Sequence, residues 1–263
     1  GTSLFSGIFS SLIKKSLGLN KSRICITGAA SIPISTLKWF DRFKIKIYEA
    51  YGMSENSACS HGNYPGNIKF GSVGKAMPDT DIKITDKGEI IMKNDCIMQG
   101  YYKEEELTNQ TIKKGYLHTG DKGTIDDDGY LTITGRIKDI FKTAKGKYVA
   151  PNPIEMKLSK NNLIEQVCVV GESLSQPIAL VVMNETKKIA DEIKSNFEAL
   201  IDSINNTLEK HEKIKKIVIL KDSWSIENNI LTPTMKIKRN VIEEKYKDFY
   251  ETWYNSKNEI IFQ

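Results

Sequence analysis

The spacing of the apolar residues changes along this chain, and these changes constrain its fold more than any other feature of the sequence. Residues 23–27 are predicted to form a short buried strand, residues 34–43 have the period of a helix, and residues 45–49 alternate like a second strand. A helical pattern also fills residues 4–15 and ends in two lysines. The order strand, helix, strand predicts an α/β piece.

The pattern changes again after residue 71. Short alternating runs, separated by turns such as Asp-Lys-Gly and Asp-Asp-Gly, continue to residue 133 and predict an antiparallel, barrel-like piece. A compact α+β unit is predicted beyond Arg136, with a strand at residues 137–143, a helix at 153–159 and a long helix through Leu208. A further strand and a helix to about Tyr250 complete it.

Composition excludes several classes of protein. A hydrophobic content of 40% in 263 residues is enough to bury a core in each of two domains. The four cysteines lie far apart, without the close spacing of a zinc site or the density of a secreted disulfide scaffold, so we expect reduced thiols. No run reaches the roughly 18 apolar residues of a membrane span and no signal sequence opens the chain, so we expect a cytoplasmic protein.

The net charge of +5 raises the question of nucleic acid binding. Lysines and acidic residues are interspersed along most of the chain, which favours a solvated surface, so we expect no nucleic acid partner. A strongly salt-dependent affinity would be the mark of that alternative. For the first helix, a packing role is favoured, and peripheral contact with a membrane surface stays open as a second interpretation.

Residues 48–55 are the most informative stretch, with the sequence Tyr-Glu-Ala-Tyr-Gly-Met-Ser-Glu. An aromatic ring can stack on a base, a glycine permits close approach of the backbone, a hydroxyl can donate to a phosphate, and a carboxylate is a hard metal ligand. An ordinary strand end followed by a turn would have the same composition. This stretch alone therefore leaves both interpretations open.

A second group of candidates lies at residues 116–121, 129–130 and 135–139. A carboxylate here could accept hydrogen bonds from both hydroxyls of a ribose, and a nearby guanidinium could add donors. His61 and His118 have no nucleophile motif beside them, so we expect polar structural histidines rather than catalysts. For His61, a place in the lining of an acyl pocket is a more modest hypothesis.

Taken together, these motifs resemble those of the adenylate-forming superfamily, specifically its long-chain acyl-CoA synthetase branch. The resemblance extends from about Leu17 to about Tyr246, nearly the whole chain. It is carried by six ordered motifs, at residues 28–30, 51–55, 119–121, 135–139, 145–151 and 231–236. It implies a partial large domain at residues 1–137, with an α/β piece and an antiparallel β-barrel-like subdomain, and a small mobile α+β C-terminal domain at residues 138–263.

The resemblance also implies roles for individual residues in binding ATP and Mg²⁺. The turn at residues 28–30 would line the adenine and Tyr51 would stack on it, while Ser54 would meet the phosphate. Glu55 would hold Mg²⁺, and Asp121 would hold the ribose with help from Arg136. The implied nucleotide-binding positions are Gly28, Ala29, Ala30, Tyr51, Gly52, Ser54, Asp121 and Arg136.

In the C-terminal domain the resemblance implies a hinge at Lys138, about which the domain swivels between two orientations. In one orientation Lys236 would reach the carboxylate and α-phosphate as an acyl-adenylate forms. Its compact ammonium charge would stabilise the negative charge of these two anions as they approach. In the other, the turn Lys145-Gly146-Lys147 would admit CoA. The implied catalytic residues are Lys236, Glu55 and Ser54, and the implied substrates are ATP, a fatty acid and CoA.

One part of the family pattern is missing. The Ser/Thr/Gly-rich loop ending in Pro-Lys-Gly, which wraps the β- and γ-phosphates in this family, is not found in the sequence. We therefore expect a truncated chain, which lacks the N-terminal part of its enzyme and has negligible ligase activity alone. A non-catalytic nucleotide-binding or interaction module and an adenylating ligase for another carboxylic acid remain alternatives.

Overall fold

The computed structural model describes residues 4–28, 30, 32–184 and 189–263. Its backbone divides into two compact units, residues 1–133 and 134–263. The division falls four residues before the domain boundary that the motifs predict, which stays a prediction.

The first unit begins with the predicted α/β piece. Helix α1 (Leu4–Ser16), strand β1 (Cys25–Thr27) and helix α2 (Ile34–Asp41) lead to strand β2 (Ile47–Tyr51). Strands β3 (His61–Gly62) and β4 (Lys75–Ala76) follow, and the sheet order is β1-β2-β3-β4. The first pair is parallel and the other two are antiparallel. The order strand, helix, strand is confirmed.

Strand β1 differs from the prediction in its burial. The apolar run at residues 23–27 was expected to be a buried strand, but Ile24 is 55% exposed and Ile26 is 66% exposed. Among the described residues, β1 pairs with β2 alone and so lies at an edge of its sheet. An apolar run therefore marks this strand correctly, whereas its burial depends on what covers it.

The rest of the first unit is antiparallel, as predicted. It contains β5 (Asp81–Ile84), β6 (Glu89–Lys93), α3 (Glu105–Thr111), β7 (Ile112–Lys113), β8 (Tyr116–Ile125) and the first half of β9 (Leu131–Arg136), whose last three residues belong to the second unit. The order is β5-β6-β8-β7, with β9 also on β8. Alternate residues of β6 and β8 point inward, and Ile90, Met92, Leu117 and Leu131 are fully buried.

The second unit is the predicted α+β unit. Its elements are β10 (Phe141–Lys142), β11 (Tyr148–Val149), α4 (Pro151–Leu158), β12 (Ile164–Val170), β13 (Ile178–Met183), α5 (Ala190–Asn205), β14 (Lys216–Ile219), α6 (Arg239–Tyr246), α7 (Tyr250–Tyr254) and β15 (Ile260–Phe262). The main sheet has the order β12-β13-β14-β15. Strands β12 and β13 are antiparallel, and the other two pairs are parallel.

Both faces of this sheet are covered, which explains its nearly continuous apolar strands. Val167 and Val169 face a core that includes Phe197 and Ile201 of α5. Their neighbours in the strand face a second core, which contains residues of α6 and α7. The four-residue spacing from Phe197 to Ile201 keeps one face of α5 on the sheet.

Two details of the second unit correct the predictions. Residues 137–143 were predicted to be one strand, but Ile137–Asp139 is a 3₁₀ turn and only Phe141–Lys142 is extended. Strand β15 was not predicted, since Ile260–Phe262 is a very short apolar run. Its partner β14 supplies the pairing that makes it a strand.

Candidate functional site

The ends of the parallel strands β1 and β2 form the first part of the candidate site. Thr27 and Glu49 are partners across the two strands, and the chain leaves β1 at Gly28. A Cβ atom at Gly28 would lie 2.9 Å from the carbonyl oxygen of Ala50, so the turn packs closely against the backbone of β2. The carboxyl ends of parallel strands are the usual position of ligand sites in α/β sheets.

The structure places Gly28 and Ala30 at this strand end. Ala30 is exposed, as a residue that lines a ligand cleft would be. Ala29 lies outside the described residues. The proximity of Gly28 to Ala50 brings the first nucleotide motif next to the second, as the predicted roles require.

Tyr51 and Asp121 are joined although 70 residues separate them in sequence. The hydroxyl of Tyr51, at the end of β2, donates a hydrogen bond to Oδ2 of Asp121 on β8 at 2.7 Å. Asp121 is buried, and its backbone N–H donates to Oγ1 of Thr119, which in turn donates to the carbonyl of Ile90. The carboxylate is therefore held in place from both its side chain and its backbone.

The loop after Tyr51 is tightly folded. A Cβ at Gly52 would lie 2.5 Å from backbone atoms of Ala58, so no larger residue fits without a shift of the loop. Ser54–Asn56 forms a 3₁₀ turn, and the buried Asn56 side chain accepts a hydrogen bond from the N–H of Met53 at 2.9 Å. Ser54 is exposed at the start of this turn. The turn presents a hydroxyl and a carboxylate on adjacent residues.

Glu55 is fixed by a residue that the motifs did not indicate. The hydroxyl of Tyr101 donates to Oε1 of Glu55 at 2.8 Å, and the N–H of Met98 donates to the Glu55 carbonyl at 2.7 Å. Burial and the hydrogen bond to Glu55 raise the pKa of Tyr101, so it stays a donor. A separation of 46 residues hides this pair from any local motif. Only the turn-prone Gly100 beside Tyr101 marks this segment in the sequence.

The donor set fits a magnesium ion that is shared with a phosphate ligand. Mg²⁺ commonly takes one or two carboxylates and completes its octahedron with water and phosphate oxygens. Glu55 supplies one partly exposed carboxylate with an oxygen not used by Tyr101. In the part of the chain that the structure describes, no group of three or more His, Cys, Asp or Glu side chains could hold a metal by itself.

Glu49 is a buried residue of β2, and His61 is a buried residue of the neighbouring strand β3. Burial raises the pKa of Glu49 to about 6, although the N–H of Gly71 donates to its carboxylate at 3.2 Å. Burial lowers the pKa of His61 to about 4, and its Nδ1 lies 2.8 Å from the hydroxyl of Ser60. His61 pairs with Tyr51 across β2 and β3. Near neutral pH the first is a carboxylate and the second is a neutral imidazole.

His118 also has a partner. Its Nδ1 lies 2.9 Å from Oε2 of Glu89, whose other oxygen accepts the N–H of Gly120 at 3.2 Å. These contacts hold the segment that leads into Asp121. The position of His118 is therefore consistent with a structural role.

The remaining candidates lie in the second unit. Arg136 is the exposed last residue of β9, and the exposed Lys138 lies in the 3₁₀ turn that follows. Lys145, Gly146 and Lys147 form the turn between β10 and β11, where the N–H of Gly146 donates to the carbonyl of Thr143 at 2.8 Å. Both lysines of this turn are exposed, as residues that meet a phosphorylated ligand must be.

Lys236 is exposed on a tight hairpin, residues 230–238, which we call the Lys236 hairpin. Its arms meet at a bridge between Leu231 and Ile237, and the N–H of Lys236 donates to Oγ1 of Thr232 at 3.0 Å. Met235 has a φ of +61° and is 62% exposed. Left-handed backbone at such a residue costs about 1–2 kcal/mol. Backbone strain of this kind is common at functional sites.

Comparison with known proteins matches this chain to one enzyme family. Residues 3–102 match the family described as AMP-binding enzyme, and residues 138–258 match the AMP-binding enzyme C-terminal domain. The long-chain-fatty-acid–CoA ligase FadD15 of Mycobacterium bovis is 32% identical over 93% of this chain and 44% of its own length. Long-chain-fatty-acid–CoA ligase 5 of Rattus norvegicus is 33% identical over 98% of this chain and 42% of its own.

A solved structure agrees with the fold. The crystal structure of ATP-bound MatB from Rhodopseudomonas palustris has a TM-score of 0.72 at 26% identity, over 87% of this chain and 46% of that chain. The chain thus spans less than half the length of each of these three relatives. Within the described residues, no helix combines the length and the apolar character needed to cross a membrane. Both the sequence and the fold assign the chain to the AMP-binding, or adenylate-forming, enzyme family, alongside long-chain fatty acid–CoA ligases.

Proposed function

We propose that this chain supplies the adenosine-binding strand edge and the adenylating lysine of a long-chain fatty acid–CoA ligase. The observation that carries the proposal is the Tyr51–Asp121 hydrogen bond at the end of β2. It sets an aromatic ring and a fixed carboxylate side by side, which suits a base and its ribose. The two relatives reported above are named long-chain-fatty-acid–CoA ligases, and these names support a fatty acid as the substrate.

In the proposed first half-reaction, a carboxylate oxygen of the acid attacks the α-phosphorus of ATP and pyrophosphate leaves. Lys236 steadies the negative charge that two approaching anions concentrate between them. Ser54 donates its hydroxyl to a phosphate oxygen. Glu55, oriented by Tyr101, would hold Mg²⁺, whose charge neutralises the phosphates when it is bound.

In the proposed second half-reaction, the CoA thiolate attacks the carbonyl carbon of the acyl-adenylate and AMP leaves. The second unit would turn about Lys138 and bring the turn at residues 145–147 to the adenylate in place of Lys236. The exposure of Lys138 and of the turn lysines supports this role. Arg136, immediately before the hinge, would add a donor to the ribose.

We also propose that an additional polypeptide segment packs on the first unit and contributes the loop that binds the β- and γ-phosphates. The exposed apolar residues Ile24, just before β1, and Ile26 on β1 support this part, since an apolar edge strand is usually covered. We propose that the 263-residue chain binds AMP and an acyl-adenylate but has negligible ligase activity alone. Acyl-CoA formation by the purified chain would contradict this part.

The test is the separation of the two half-reactions in the gene product that carries this sequence. Lys236→Ala should abolish pyrophosphate release from ATP and acid, and it should spare the conversion of a supplied acyl-adenylate and CoA to acyl-CoA. Lys221→Ala, at an exposed lysine of the same unit, is the matched control and should affect neither. Equal loss of both half-reactions in Lys236→Ala would refute the assignment. Acids of different chain length, together with aryl acids, would decide the substrate class.

A non-catalytic nucleotide-binding module is the second candidate, because the Tyr51–Asp121 contact would suit a nucleotide whether or not catalysis follows. Calorimetry with AMP, an acyl-adenylate analogue and CoA separates it from the first. Binding of AMP without turnover in the full gene product would favour it. Binding of none of the three would exclude both candidates.

A further inference from the structure

Arg239 joins three segments of the second unit, and the sequence motifs assigned it no role. It is the first residue of α6 and follows Lys236 by three positions. Its Nε lies 3.4 Å from Oδ2 of Asp139, and its Nη2 forms an ion pair with Glu155. Nη1 donates to the carbonyl of Val169 at 3.0 Å. The guanidinium thus uses donors on several sides, as only arginine can.

The partners of Arg239 belong to segments that matter for the proposed domain movement. Asp139 ends the 3₁₀ turn that contains Lys138, so it follows the proposed hinge directly. Glu155 lies on α4 and also accepts the N–H of Val169 at 2.6 Å. Burial raises the pKa of Glu155, and the charge of Arg239 acts in the opposite direction. Arg239 therefore links the hinge turn, α4 and β12 to the start of α6.

The Lys236 hairpin has a different anchor on each arm. The arm before Lys236 is fixed by Ile230 and Leu231, which are both 1% exposed. The arm after it contains Ile237 and Lys238, which are only partly buried. Arg239 is the first residue after Lys236 with ionic contacts to the rest of the unit. The N–H of Lys238 ties the second arm to the first by donating to the carbonyl of Ile230 at 2.8 Å. Arg239 adds the ionic contacts that fix this end of the hairpin to the hinge turn and to α4.

We propose that Arg239 is a positioning residue for Lys236, which locks the Lys236 hairpin to the turn behind Lys138 so that hinge and lysine move as one rigid body. The inference rests on the proposed function. An error of about 1 Å in the placement of a reacting group can lower a rate by about 100-fold. A loosened hairpin should therefore impair adenylation far more than thioester formation, which does not use Lys236.

The first test compares half-reactions in the gene product that carries this sequence. Arg239→Lys keeps the charge but cannot reach Asp139, Glu155 and the Val169 carbonyl together. It should lower the kcat of adenylation by about 10- to 100-fold and leave thioester formation from a supplied acyl-adenylate unchanged. Lys245→Gln is the matched control, since Lys245 lies on the same helix in an exposed ion pair with Asp222, and it should change neither rate.

A second, milder variant separates the loss of Lys236 positioning from a loss of folding. Asp139→Asn removes the weaker contact and leaves the ion pair with Glu155, so the unit should keep its melting temperature. It should lower adenylation in the same direction but by a smaller factor. Equal reduction of both half-reactions by Arg239→Lys and Asp139→Asn would overturn the inference, because it would mark a general structural role.

The second test needs no activity. Trypsin should cut the 263-residue Arg239→Lys chain after Lys236 and Lys238 faster than the unchanged chain, while cleavage in the first unit stays the same. Unchanged cleavage at the hairpin would also overturn the inference. Retention of adenylation by Lys236→Ala would refute the proposed function, whereas a normal Arg239→Lys beside an inactive Lys236→Ala would refute the positioning role alone.

Discussion

The hydroxyl of Tyr51 donates to Oδ2 of Asp121 at 2.7 Å, and this contact joins the two sheets of the first unit at the end of β2. The ring belongs to the strand that the first motif predicts, and the carboxylate belongs to a strand 70 residues later. A base stacked on the ring would place its ribose near the carboxylate. The contact thus defines the centre of the proposed nucleotide site.

Removal of this contact should weaken AMP binding in steps. Tyr51→Phe keeps the ring and removes one hydrogen bond to a charged group, so we expect about 10-fold weaker binding. Asp121→Asn should weaken binding further, because it replaces the carboxylate that we propose accepts hydrogen bonds from both ribose hydroxyls. Calorimetry with AMP measures both effects. Tyr102→Phe is the control, since Tyr102 is 86% exposed, and undiminished AMP binding by Asp121→Asn would exclude the proposed ribose contact.

Glu55 should determine the magnesium dependence of ATP binding but not the binding of AMP. Glu55→Gln keeps a hydrogen-bond acceptor for Tyr101 and removes the charge that a hard cation needs. ATP titrations with and without Mg²⁺ should therefore differ in the unchanged protein and coincide in the variant. Tyr101→Phe should show an intermediate dependence. A full magnesium effect in Glu55→Gln would assign the metal to another group.

Gly52 should tolerate no side chain. Gly52→Ala places a Cβ 2.5 Å from backbone atoms of Ala58, and overpacking of this kind costs about 1–3 kcal/mol. Gly7→Ala is the matched control, because a Cβ there meets no atom within 4 Å and helix propensity favours alanine by up to about 1 kcal/mol. Denaturant unfolding measures both. Equal stability of Gly52→Ala and the unchanged chain would show that the loop moves aside easily.

The first unit should lose stability in acid through His61. Burial lowers its pKa from 6.5 to about 4, so the unfolded chain binds a proton that the folded chain refuses. Its contribution is fully present above pH 6.5 and is lost as pH falls towards 4, about 3 kcal/mol in total. His61→Gln should flatten this loss. Hydrogen exchange of residues 47–62 at a series of pH values provides the measurement.

Titration of Glu49 should change the stability of the first unit with pH in the opposite direction to that of His61. Burial raises its pKa from 4.5 to about 6, so the folded state binds the extra proton and stability falls as pH rises from 4.5 to 6, by about 2 kcal/mol. Glu49→Gln should therefore become more stable relative to the unchanged chain across that window. A constant difference between the two proteins at all pH values would show that Glu49 titrates normally.

Local patterns predicted the elements near the site well. The order of β1, α2 and β2, the antiparallel sheet and the turn at residues 145–147 follow from periodicity and turn residues, which are local properties. The 3₁₀ turn Ile137–Asp139 was not predicted, because the apolar residues Ile137, Ile140 and Phe141 made the whole run look like one strand. The exposure of Ile26 was not predicted either, because burial depends on neighbours that periodicity does not specify.

The ordered motifs by themselves determined the family and the identity of the candidate residues, because residue type and spacing carry that information. Only the tertiary structure decided which distant residues meet: Tyr101 with Glu55 and Arg239 with Asp139. Such pairs are set by the packing of sheets and helices, and a carboxylate or guanidinium looks the same in sequence whether or not it has a partner. The physical reason is that a hydrogen bond depends on distance in space, which the order of residues along the chain does not fix.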